Sequence, residues 1–131
     1  MDLQSHITGI GGIFFKGEDA PALRDWYRQH LGIPIESWGG TSFHWLHSGN
    51  PELPGGTVWS IFDGKTSYFG NPGRQFMINY RVRDLDGLLQ ALRDAGVAVD
   101  DKVASEEYGR FGWATDPEGN RLEFWEPAEG Y

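Results

Sequence analysis

One pattern occurs twice in this chain. Ile13, Phe15, Asp19, Leu23 and Gly32 fall into register with Ile78, Tyr80, Asp84, Leu88 and Gly96, about 65 residues later, with one residue of slack before the last glycine. Two copies of such a period describe a duplicated half-domain, because a solenoid needs three or more units to bury a continuous core. The chain has 131 residues, enough for one full domain and too few for two ordinary ones. The two copies must therefore share a core.

Each copy reads as a strand followed by an amphipathic helix. His6 to Phe15 is apolar and glycine-rich, a run that suits a strand covered on both faces. Asp19 caps a helix with Pro21 in its first turn, where the missing N–H costs nothing, and Gly32 stops it. Short strands are expected at Ile33 to Trp38, Ser42 to His47 and Thr57 to Phe62, split by Gly39-Gly40 and by Asn50 to Gly56. In the second copy Arg74 to Val82 is a strand, Asp84 caps a helix through Leu85, Leu88, Leu89 and Leu92, Gly96 ends it, and further strands open at Val97. The expected domain is a single unit over 1–131: module one over 6–62, a glycine-rich linker over 63–73, module two over 74–127. Tyr68-Phe69 inside the linker is expected to anchor it to the body.

Tyr108 to Trp125 reads as a hairpin. Asp116-Pro117 sets a fixed φ and Gly119-Asn120 accepts the positive φ of a short loop. Symmetry about Glu118 places Trp113 opposite Glu123 and Phe111 opposite Trp125, all four on one face. That face holds one carboxylate among aromatics, and an unpaired buried charge there would cost several kcal/mol in order of magnitude.

Composition excludes several classes. The net charge of −8 leaves no basic stripe for nucleic acid, and no segment approaches the roughly 18 apolar residues that span a bilayer. The absence of cysteine rules out disulfides and thiolate chemistry. A cytoplasmic protein without a leader segment is the expectation.

Phe15 with Asp19 to Gly32, then Arg81 to Asp86, then Asp116 to Phe124 resemble the vicinal oxygen chelate superfamily, which includes glyoxalase I, bleomycin-resistance proteins and extradiol dioxygenases. The resemblance implies an α+β fold of two tandem βαβββ modules forming a cup-shaped curved mixed sheet with helices outside. It also implies a ligand or divalent metal within the cup, and a homodimer. Metal-dependent members carry ligands on the first strand of each module, the fourth strand of the first and the last strand of the second. Carried over, these positions are Gly12, Met77, Trp59 or Ser60, and Glu123. Only Glu123 is a fit ligand for a hard cation, so no metal site is expected, a divalent ion being the alternative. His6, His30, His44 and His47 are read as surface or packing residues, with His44 or His47 beside Glu123 as the one relocated option.

Strand parity then defines the inside of the cup. Gly12, Phe14, Met77, Asn79, Phe111, Trp113, Glu123 and Trp125 face inward with Trp59 nearby, and Ile13, Phe15, Ile78, Tyr80, Leu122 and Phe124 pack under the helices. Glu106, Glu107, Tyr108 and Arg110 form a polar rim, and Arg81 or Arg110 could pair with Glu123. Such a pocket suits a small organic ligand, aromatic or cationic. Three readings follow. The first is a metal-free binding protein. The second is a lyase or isomerase of the glyoxalase type, or a dioxygenase-related enzyme, with a non-standard metal set or with Glu123 as catalytic general base. The third is a dimeric scaffold with no small ligand.

Overall fold

The computed structural model describes residues 6–47, 50–70 and 73–131, with the side chains of 46–54 left out. The elements run β1 (Ile7–Gly17), α1 (Ala20–Leu31), β2 (Gly40–His47), β3 (Asn50–Asp63), β4 (Phe76–Val82), α2 (Leu85–Asp94), β5 (Ala98–Val99), β6 (Ala104–Glu106), β7 (Gly109–Thr115) and β8 (Arg121–Pro127). They form one eight-stranded mixed sheet in the order β2-β3-β1-β4-β8-β7-β5, with β6 pairing β7. This is the α+β arrangement of two successive modules with two helices. No helix among the described residues is long and apolar enough to cross a membrane.

Both helices begin and end where local chemistry directs. Asp19 accepts from the Ala22 N–H at 3.1 Å, and Gly32 closes α1 at φ +65° with its N–H on the Arg28 carbonyl. Asp84 caps α2 by accepting from the Gly87 N–H, and the Leu85 N–H finds a second acceptor in Glu126 Oε1 at 2.9 Å. Leu85, Leu88 and Leu89 then bury against Val82, Ala114 and Phe124, with Tyr80 and Leu122 packed around them.

The modules meet where β1 runs antiparallel to β4, with Phe14 opposite Met77 and Gly12 opposite Asn79. A register shift between Ile10 and Gly12 bulges β1 there. A Cβ on Gly11 would come within 2.1 Å of Asn79 Oδ1, and one on Gly12 within 2.7 Å of the Phe14 ring. Both glycines thus lie against the same interior, and neither tolerates a side chain.

Two strand expectations need correction. Ile33 to Trp38 is not a strand; it forms the connection from α1 to β2, where Ile35 is buried and Arg28 donates to the Ile35 carbonyl. Conversely, Asn50 to Gly56, expected as a connection, belongs to β3, because β2 pairs with it from Gly40 opposite Ser60 as far as His47 opposite Asn50. The ladder, in register as far as Leu46 opposite Pro54 and shifted beyond it, outweighs the low strand preference of its glycines and prolines. β1 is also not covered on both faces, since Ile7 and Ile10 remain exposed. Pro72 of the linker lies outside the described residues.

Candidate ligand-binding site

The hairpin of β7 and β8 forms one wall of a cavity of about 900 Å³ in the concave face of the sheet. Its turn is fastened by Asp116, whose Oδ1 accepts from the Glu118 and Asn120 N–H groups at 2.9 and 2.8 Å, and Gly119 takes φ +86°. Hydrogen bonding from Asn120 holds the Asp116 carboxyl below its usual range. The resulting register sets Trp113 opposite Glu123 and Phe111 opposite Trp125, whose rings lie parallel at 6.1 Å between centroids.

Glu123 is only 2% exposed. Asn79, its neighbour across the parallel β4–β8 pair, donates from Nδ2 to Oε1 at 2.7 Å. Trp113 Nε1 donates to Oε2 at 2.8 Å, and the Tyr68 hydroxyl donates to the same oxygen. The carboxylate is thus held by three neutral donors rather than by a cation. The expected arginine partners are engaged elsewhere. Arg110 pairs with Asp86 at 2.8 Å, and Arg81 donates to main-chain oxygens.

Tyr68 comes from the linker after β3. Phe69, buried against Phe14 and Met77, pins that segment and lets Tyr68 stack on Phe62 and meet Trp113 edge-on at 6.3 Å. Burial first, and then the charge of Glu123, push the Tyr68 phenol well above its ordinary pKa, so it stays a donor. Burial and the charges of Glu106 and Glu123 also raise Tyr108.

Phe14, Asn79, Tyr108, Phe111, Trp113, Glu123 and Trp125 line the cavity. Three of the expected ligand-binding residues do not. Trp59 faces the helix side, because β3 pairs Ser60 with Phe14 and Trp59 with Ile13; its ring packs on Phe15 and Tyr27 at 5.4 and 5.0 Å, and Ser60 takes the place on the cavity wall. Met77 packs against Phe14 and Phe69 as core and does not itself reach the cavity. Glu107 sits exposed in the two-residue turn between β6 and β7, leaving Glu106 and Tyr108 at the wall. Sequence reasoning missed Trp38, Phe62, Tyr68 and Tyr131 as lining residues. The aromatic pair Tyr68-Phe69 in an otherwise glycine-rich linker was the one available signal.

The register also locates the four positions where family members hold a metal. The parallel pairs Phe14 with Ser60 and Asn79 with Glu123 are equivalent in the two modules. The quartet is therefore Gly12, Ser60, Met77 and Glu123. A glycine and a buried thioether cannot serve a hard cation, and the Ser60 hydroxyl lies 3.5 Å from the Gly39 carbonyl oxygen. The residues do not fit a divalent ion. Among the described residues no group of three His, Asp or Glu side chains could hold one; His44 is exposed and off the cavity, and the His47 side chain lies outside the described set.

With this geometry in view, comparison with known proteins decides the family. The model of the glyoxalase/bleomycin resistance protein/dioxygenase superfamily matches residues 9–124. The chain belongs to that superfamily. No curated protein matches it in sequence. Among solved structures, a methylmalonyl-CoA epimerase in complex with methylmalonyl-CoA and NH4+ superposes with a TM-score of 0.68 at 17% identity, over 94% of this chain and 96% of the other. The methylmalonyl-CoA epimerase of Mycobacterium tuberculosis gives 0.60 at 20% identity, over 98% and 93%. A superfamily member from Vibrio splendidus 12B01 gives 0.57 at 12% identity, over 89% and 97%. At these identities the likeness is one of superfamily fold.

Proposed function

We propose that this superfamily member is a metal-independent binding protein that holds a small, flat organic molecule between the aromatic walls of the cup. The observation that carries the reading is Glu123: the sole acidic member of the metal quartet has its two oxygens occupied by Tyr68, Asn79 and Trp113. Around it stand Phe14, Phe62, Phe111 and Trp125, surfaces suited to stacking a planar ligand. Glu36 and Glu106 stand on the same wall as Lys102 and Arg121, so the cup offers charged contacts of both signs around its rings. The same contacts weaken the lyase or isomerase reading, since Glu123 is 2% exposed behind Tyr68, Asn79 and Trp113 and a general base must reach the proton it takes.

The protein acts in this reading as a homodimer. Support comes from the convex face, where Ile10 opposite Tyr80, Ile13 opposite Ile78 and Phe15 opposite Phe76 form an apolar strip, with Phe76 67% exposed. Light scattering after gel filtration should give twice the chain mass, and a monomer would remove this part of the proposal.

Metal analysis of the purified protein, followed by a thermal-shift panel, tests the rest. The panel contains divalent ions, aromatic cations, neutral aromatics and methylmalonyl-CoA, the ligand of the solved epimerase complex. We expect no stoichiometric metal, and stabilisation by aromatic compounds that Glu123→Ala reduces. Stoichiometric metal lost in Glu123→Ala would overturn the proposal.

A further inference from the structure

Among the described residues, Asn79 Oδ1 is the only buried side-chain oxygen that meets no hydrogen-bond donor. The residue is 2% exposed and belongs to the cavity wall. Its amide is not free to turn. Nδ2 donates to Glu123 Oε1 at 2.7 Å, and because a carboxylate oxygen can only accept, the nitrogen must face Glu123 and the oxygen must face away from it. A buried acceptor held in that state is a standing cost to the fold, so its lack of a partner calls for a reason.

The oxygen lies against Gly11, which is itself on the cavity wall. A Cβ there would come within 2.1 Å of Oδ1 and 3.1 Å of the Trp125 ring, so the amide oxygen takes the space that a side chain on β1 would fill, beside the ring best placed to stack a ligand. Neighbouring donors are already committed. The indole N–H groups of Trp38, Trp113 and Trp125 donate to Glu36, to Glu123 and to the Tyr108 carbonyl, and the Tyr68 hydroxyl donates to Glu123. Glu123 draws three donors to itself and leaves an acceptor on the wall.

We propose that Asn79 Oδ1 is the polar contact that orients the ligand, and that the ligand is a flat aromatic molecule with a hydroxyl or amino donor on the edge of its ring. The ring runs along Trp125 and the donor meets Oδ1, with Glu123 as the positioning residue that fixes the amide. This rests on the reading of the cup as a ligand site.

Three probes with one ring system test it by equilibrium dialysis at neutral pH: 2-naphthol, 2-fluoronaphthalene, which is no larger but cannot donate, and 2-methoxynaphthalene, which can only accept. Naphthol should bind about tenfold tighter than either, the fold-change of one hydrogen bond made to an otherwise unpaired buried acceptor. Asn79→Leu keeps the branched shape and still covers Glu123 Oε1 but removes the acceptor, and it should bring the three within about twofold. Gly11→Ala drives a methyl group onto Oδ1 and should narrow the preference in the same direction. Folding of both variants is checked by circular dichroism, and if Asn79→Leu does not fold, the unaltered protein and Gly11→Ala decide the matter. Equal affinity for naphthol and fluoronaphthalene in the unaltered protein, or a naphthol preference that survives in the variants, overturns the role of Asn79 and leaves the aromatic cup standing. Binding of none of the three overturns both.

Discussion

Each of the three donors facing Glu123 finds a carboxylate oxygen, and single substitutions there have a definite sign. In Glu123→Gln the new amide brings an NH2 group against three donors, so at least one of Tyr68, Asn79 and Trp113 is left without an acceptor. Hydrogen bonds to charged groups are worth roughly 1.5–3 kcal/mol, and we expect Glu123→Gln to lower stability in urea by about 2 kcal/mol. An unchanged midpoint would contradict the donor arrangement. Tyr68 has a pH signature of its own. Its folded-state pKa lies above the ordinary 10.0, so its contribution is fully present below pH 10.0 and is lost as pH rises toward the folded value. Stability measured between pH 9 and 11 should fall with pH, and Tyr68→Phe should flatten that slope. Glu123 was legible as the centre of the site from hairpin parity alone. Its partners were not, because Tyr68 is distant in sequence and reaches the carboxylate only once Phe69 has buried.

Among the elements, β1 has little room for change at its bulge. Its bulge brings bare glycine backbone against Asn79, and Gly11→Ala would drive a methyl group to 2.1 Å from Asn79 Oδ1. Overpacking of this kind costs about 1–3 kcal/mol, and here it also displaces the donor to Glu123. A melting temperature lowered by several degrees, together with weaker ligand stabilisation, is the expected result; a neutral Gly11→Ala would mean that β1 relaxes around the change. The hairpin of β7 and β8 was readable because turn chemistry at Asp116 and Gly119 acts within a few residues and sets every pair along it. Placing Trp59 depended on something longer-range. The β1–β3 pairing moves the cavity face from Trp59 to Ser60, and a one-residue difference in register turns a strand inside out.

The two modules are parts of one sheet, joined along β1 and β4. Neither half can bury its face alone, so unfolding should be a single event. Tryptophan fluorescence and far-ultraviolet circular dichroism should give coincident denaturation curves, and two separated transitions would mean that the modules are independent. The sequence by itself determined the duplication, both helices with their caps and the final hairpin. Each of these depends on residue type, or on spacings short enough for local sterics and hydrogen bonding to decide. Only the tertiary structure decided which oxygens and donors meet: Tyr68 on Glu123, Ser60 rather than Trp59 on the wall, and Tyr131 on Arg81. Those contacts join residues far apart in the chain, 55 positions for Tyr68 and Glu123 and 50 for Tyr131 and Arg81, and they follow from how separate strands pair and how the linker buries.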